Sequence, residues 1–143
     1  MEITFLGTGA PLHVSRATTG MLVTADGCAP LLIDTCGGFE LARRLDSSGV
    51  RLAEIRNIIV THRHFDHSGG MMALFLANMP LDIHALDDTY TGISEMKAGC
   101  FPEWELHLMC VTTESSLLRG ARSEDWLSSS SGLSIAYQRQ RSE

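Results

Sequence analysis

Apolar residues fall along the chain in short runs of two kinds, one alternating or β-branched and the other spaced by three or four. Residues 3–6, 21–24 and 31–34 belong to the first kind. Gly7-Thr8-Gly9 closes the first, and Asp26-Gly27 forms a tight turn between the second and third, so the chain opens on three strands expected to pair antiparallel. Apolar side chains at 39, 41, 42 and 45, with Arg43, Arg44 and Asp46 opposite, predict a helix that Ser48-Gly49 ends. Residues 57–61, centred on Ile58-Ile59-Val60, carry the continuous β-branched pattern of a fully buried strand. Residues 69–79 are almost wholly apolar and predict a buried helix stopped before Pro80, with its methionines as core filler. A strand over 81–85, a helix over 87–97 started by Asp87 or Asp88, and a last strand over 105–111 complete the pattern. After Thr112, Ser115-Ser116, Ser123 and Ser128-Ser129-Ser130-Ser131 interrupt any period until 133–137, and low order is expected there. Strands alternating with helices, without internal repeat, give an α/β class in which a sheet carries helices on its outer face.

Composition sets the setting of that fold. A chain of 143 residues, 44% hydrophobic and 20% charged, suffices for one compact core and not for two. The net charge of −6 attracts neither nucleic acid nor anionic membranes by itself. No run approaches the roughly 18 apolar residues of a membrane span, and the N-terminus has neither a basic nor a sustained apolar region of the export type. Cys28, Cys36, Cys100 and Cys110 show no C-x-x-C spacing, which favours buried or idle thiols in a reducing, cytoplasmic setting.

The chemistry is concentrated directly after the buried strand, in His62-Arg63-His64-Phe65-Asp66-His67, followed by Ser68-Gly69-Gly70. Residues two apart at a strand end point to the same side, so His62 and His64 can converge on one ion while Asp66 and His67, one turn of loop later, face another. Two adjacent divalent ions are the leading expectation, against a solvated His-rich loop as the bland reading. Ser68 is expected to turn the chain into the next helix rather than to act as a nucleophile. The loop over 10–19, with Pro11, His13 and Arg16, either borders the site or is a plain surface connection.

The H-x-H-x-D-H run after a buried strand resembles the signature of the metallo-β-lactamase superfamily. Phe5-Leu6-Gly7-Thr8-Gly9-Ala10-Pro11 resembles the opening of its ribonuclease Z-like branch, and Leu32-Ile33-Asp34-Thr35-Cys36-Gly37 resembles the strand ending in Asp that precedes the metal loop. The resemblance covers about residues 1–112. It implies an αββα sandwich with two zinc ions, or iron or manganese in some members, at one edge. It further implies that His62 and His64 bind the first ion, that Asp66 and His67 bind the second with Asp66 the catalytic side chain, and that Asp34 lies behind them and orients a motif histidine. A metal lowers the pKa of its bound water from about 15.7 to about 7, so the resemblance implies hydrolysis by a metal-bound hydroxide, on a phosphodiester first, whether RNA or a small molecule, and on a lactone or other ester as the alternative.

The chain also departs from that pattern. Members of the branch usually carry Gly where this chain has Phe65, and no basic cluster is present to neutralise tRNA phosphates. The family completes its site with later histidines and a bridging aspartate, whereas here no His follows His107. His84 and His107 sit among apolar residues as core or edge histidines, and Asp125 matches the bridging carboxylate only by coincidence. Two protein ligands per ion fall short of the usual four, which predicts weak metal retention. The expected organisation is therefore the N-terminal half of the fold over 1–112 with a divergent, Ser-rich tail over 113–143. An inactive or weakly metal-binding fragment that needs a second half or partner is the competing reading. Half of such a sandwich would expose the inner face of its sheet, a surface suited to a homo-oligomer.

Overall fold

The computed structural model describes residues 1–77, 80–101 and 108–112. In chain order they form β1 (Glu2–Gly7), β2 (Gly20–Thr24), β3 (Leu31–Ile33), α1 (Glu40–Ser47), β4 (Asn57–Ile59), α2 (Phe65–Ser68), α3 (Met71–Leu76), β5 (Leu81–Ala85), α4 (Asp87–Cys100) and β6 (Leu108–Thr112), with a 3-10 turn at Leu52–Glu54. The six strands make one sheet in sequence order. β1, β2 and β3 are antiparallel, as the tight turn requires: Cys28 N–H donates to the Ala25 carbonyl at 3.1 Å, and Gly27 takes φ +72. From β3 onward every pairing is parallel, which the intervening helices enforce.

Register explains the burial. Leu22, Leu32, Ile58 and Ile83 stand opposite one another across four strands, and each is almost wholly buried. Leu41 and Leu45 of α1, Met71, Leu74 and Phe75 of α3, and Ile93 of α4 belong to the same core. The alternate row, Phe5, Met21, Ile33, Ile59 and His84, lies on the opposite face. There Ile3 and Phe5 remain 52% and 65% exposed, so one face of the sheet is apolar and open among the described residues.

α1 shows how local chemistry ends an element. Glu40 accepts from Arg44 at 2.9 Å and Arg43 at 3.4 Å on its outer side, while Leu41 and Leu45 bury the inner one. Its end is a Schellman closure: Val50 N–H donates to the Leu45 carbonyl at 3.1 Å and Gly49 N–H to Asp46 at 3.0 Å, with Gly49 at φ +78.

Three expectations are corrected. The helix expected over 69–79 is α3, which starts only at Met71 because Gly69-Gly70 separate it from the preceding turn α2; Asn78 and Met79 lie outside the described residues. Asp66 and His67, expected on a loop, sit on the helical turn α2. β3 stops at Ile33 and β4 at Ile59, short of the expected 34 and 61, because Asp34 takes φ 55 and the chain after Val60 turns into the motif. Of the strand expected over 105–111, the part before Leu108 lies outside the described residues, as do His107, Asp125 and the tail over 113–143.

Gly70 is the packing point between α3 and the loop after β3. A Cβ there would stand 1.8 Å from the Thr35 carbonyl oxygen and 3.0 Å from the Leu41 Cβ. Gly70→Ala is expected to destabilise the fold by about 2–4 kcal/mol. Gly99→Ala, in α4 with nothing within 4 Å, is expected to stabilise it by roughly 0.5–1 kcal/mol. Urea denaturation of both variants checks this; equal midpoints for the two would contradict the close approach at Gly70.

Candidate metal centre

The site is built where β3 and β4 end side by side. Asp34 N–H donates to the Ile59 carbonyl at 2.8 Å, which continues the parallel ladder one step, and Val60 N–H donates to His84 at 3.0 Å. Asp34 and Cys36 then adopt φ 55 and φ 57, folding the chain back on itself. The fold-back is held across the molecule. Thr35 N–H and its hydroxyl both donate to the His67 carbonyl, at 2.7 and 2.8 Å, Cys36 N–H donates to Thr19 at 2.9 Å, and Gly70 N–H donates to Cys36 at 3.1 Å. The motif is thereby fastened to the loop that carries Asp34.

Asp34 is buried, 2% exposed, and its carboxylate is fully engaged. Oδ1 accepts from Thr61 N–H at 2.9 Å and from the Thr61 hydroxyl at 3.0 Å, while Oδ2 lies 2.8 Å from His67 Nδ1 and 2.9 Å from the same hydroxyl. A carboxylate only accepts, so the network places a proton on His67 Nδ1. By the same reasoning the Thr61 hydroxyl, having donated to Asp34, accepts from His62 Nδ1 at 3.1 Å. Both Nε2 atoms are thereby turned away from these partners, the arrangement in which groups behind the rings orient imidazoles for a divalent ion.

The four motif side chains come together in two pairs. His62 Nε2 is 3.1 Å from His64 Nδ1, and His67 Nε2 is 3.5 Å from Asp66 Oδ2. The His62 and His67 ring centroids lie 4.1 Å apart, so the pairs adjoin. Zn–N bonds near 2.0–2.1 Å in tetrahedral geometry put neighbouring donors about 3.3 Å apart, and both pairs match that edge. The donor types, imidazole and carboxylate, also suit zinc. The number of donors does not: among the described residues no group of three or more His, Cys, Asp or Glu side chains is placed to hold one ion.

Other candidates separate cleanly. Ser68 is buried, its hydroxyl donating to the Arg63 and His64 carbonyls at 3.0 and 3.1 Å, so it closes the turn into α2. His13 is bonded within its own loop, 3.3 Å from the Ser15 N–H, and His84 stands on β5 in the open-face row. Thr61, the link between Asp34 and His62, was not singled out from the sequence. Its signal is position alone, a hydroxyl at the first residue after the buried strand. Cys36 is fully buried beside Gly20, and burial, with Glu40 and Asp34 adding to it and Arg44 opposing, pushes its thiol up to about 11.

Comparison with known proteins follows the same N-terminal weight. The family described as Anti-Pycsar protein Apyc1 matches residues 1–81, more than half of the chain. A Ribonuclease Z from Thermococcus sibiricus is 29% identical over 116 residues, 76% of this chain and 37% of that protein. An Anti-Pycsar protein Apyc1 from Paenibacillus harenae is 35% identical over 71 residues, 50% of this chain and 28% of that protein. Human tRNase Z, short form, superposes with a TM-score of 0.62 at 26% identity, over 80% of this chain and 45% of that one. This chain thus spans less than half the length of each.

The Cys36 thiol supplies a check of the packing behind the site. At pH 8 an alkylating reagent is expected to modify the exposed Cys28 and Cys100 and to reach Cys36 only after unfolding. Because the folded value lies above the ordinary thiol value of 9.0, the fold favours the neutral thiol. That stabilisation is complete below about pH 9 and is lost as pH rises through about 11, so the chain should lose stability over this range relative to Cys36→Ala. Mass spectrometry of the adducts and denaturation curves read the two effects; rapid alkylation of folded Cys36 would refute the burial.

Proposed function

Because this chain belongs to the Anti-Pycsar protein Apyc1 family and is similar to part of ribonuclease Z-like proteins of the metallo-β-lactamase fold, we propose that it is a metal-dependent phosphodiester hydrolase. The observation that carries this reading is the two donor pairs at zinc-edge spacing, with Asp34 and Thr61 fixing two of the imidazoles from behind. His62 and His64 would hold one ion and Asp66 and His67 the other, zinc by donor type, with manganese or iron as alternatives. Such ions supply a Lewis acid and an acidified water. Ribonucleases cut phosphodiesters, and two of the similar proteins bear that name; the phosphodiester assignment rests on this.

The chain's own residues supply the organisation. Asp34 holds the His67 proton on Nδ1 and spreads the positive charge that a bound ion induces on the ring. Thr61 does the equivalent for His62 through one hydroxyl shared with Asp34. Asp66 contributes the only carboxylate of the two pairs, so it sets the charge of the site and accepts protons released at it. The fold positions these groups on backbone fastened at Thr35, Cys36 and Gly70, so binding costs little rearrangement.

Two donors per ion favour slow turnover, and they also favour a second reading in which the site binds metal but turns nothing over. A chromogenic phosphodiester and a lactone, each offered to the full chain with zinc and with manganese, separate the two. The expected result is slow diester cleavage, little on the lactone, and a further loss of about 10–100-fold in Asp34→Asn. Strong lactone turnover beside an inert diester would overturn the phosphodiester assignment, and inertness to both would leave the second reading.

A further inference from the structure

One carboxylate stands behind an imidazole of each donor pair, but not at the same remove. Asp34 Oδ2 accepts from His67 Nδ1 at 2.8 Å and from the Thr61 hydroxyl at 2.9 Å, and the same hydroxyl lies 3.0 Å from Oδ1 and 3.1 Å from His62 Nδ1. A hydroxyl has one proton to give and Asp34 can only accept, so His62 reaches the carboxylate through a single neutral group, whereas His67 touches it. The pairs also differ in front. Asp66 brings a carboxylate to His67, while His64 brings a second imidazole to His62. Their settings differ in the same sense: the His67 and Asp66 side chains are 19% and 24% exposed, whereas Thr61 and His64 are exposed residues.

We propose that the two pairs take up metal in order, Asp66 and His67 before His62 and His64, and that Thr61 is the positioning residue which governs the second step. The proposal rests on the metal reading above and adds the order of loading to it. With two protein donors per pair among the described residues, the charge beside and behind those donors decides which pair binds more tightly. In front, a dication gains from the Asp66 carboxylate, and gains more where water is partly excluded. Behind, the bond from His67 to Asp34 is charge-assisted, of a kind roughly twice as strong as a neutral bond such as that from His62 to Thr61. Asp34 has one charge to share, so the more of it His67 draws when loaded, the less remains for Thr61 to pass to His62. Repulsion between two dications acts in the same direction. The second ion is therefore left with a neutral pair, one ring of which is held from behind by Thr61 alone.

Zinc titration of the metal-free full chain against a competing chromogenic chelator, with nitrogen-15 nuclear magnetic resonance of the histidine rings in parallel, tests this without relying on turnover. The first equivalent is expected to shift the His67 ring signals and the second those of His62 and His64, with the first step tighter by about tenfold or more. Thr61→Val keeps the shape of the side chain and loses its hydroxyl. It should weaken the second step by about 10–100-fold and leave the first unchanged. Before zinc is added it should also release the His62 ring from a single tautomer. Thr61→Ser should restore both properties, with circular dichroism confirming that each variant is folded. Simultaneous filling of the pairs, His62 and His64 filling first, no zinc uptake, or a second step not weakened in Thr61→Val would overturn the proposal. The two readings fail separately. A chain that loads zinc in this order yet cleaves no diester disproves hydrolysis alone, whereas diester cleavage by a chain whose pairs fill together disproves the order alone.

Discussion

One buried carboxylate organises the motif-bearing end of this molecule. Asp34 closes β3, accepts from the backbone and hydroxyl of Thr61 at the end of β4, and faces His67 on α2, so three elements meet at two oxygen atoms. A buried charge is tolerated only when its lone pairs are used, and here all the available donors are ones the site needs held still. The cost is visible in the backbone, where Asp34 and Cys36 both take the left-handed conformation that residues with a Cβ seldom adopt. Removing the carboxylate would take from the Thr61 N–H and the His67 ring their acceptor, each worth about 1–3 kcal/mol of lost hydrogen bonding.

The remainder of the fold serves to bring those strand ends together. The parallel ladder from β3 through β6 sets Ile33, Ile59 and His84 in line, so the residues immediately after Ile33 and Ile59 emerge at one edge. The helices take one face of the sheet and leave the other, with Ile3 and Phe5 bare, to solvent among the described residues. No helix there is long and apolar enough to cross a membrane.

Much of this was legible in the amino-acid order, for identifiable reasons. Strand periodicity and β-branching located β1 to β5, Ser48-Gly49 located the end of α1, and the histidine spacing after Ile58-Ile59-Val60 marked the side chains that come together there. What escaped was long-range or conformational. Thr61 bridges Asp34 and His62 only because β3 and β4 pair in parallel, a partnership that 27 residues of separation conceal. The break between α2 and α3 follows from the close approach of Gly70 to Thr35, which apolar periodicity does not register. The helical turn at Phe65–Ser68 depends on Ser68 capping the His64 and Arg63 carbonyls with its own hydroxyl, an arrangement that the motif's spacing leaves open.

The central claim is that the two donor pairs hold metal. Counting zinc per chain by elemental analysis alongside native mass spectrometry, on the full chain and on variants with one pair replaced by alanine, addresses it most directly. The account predicts two ions per chain in excess zinc, and one when either His62 and His64 or Asp66 and His67 are removed. An unmetallated wild-type chain, or a stoichiometry unchanged when all four residues are replaced, would contradict it.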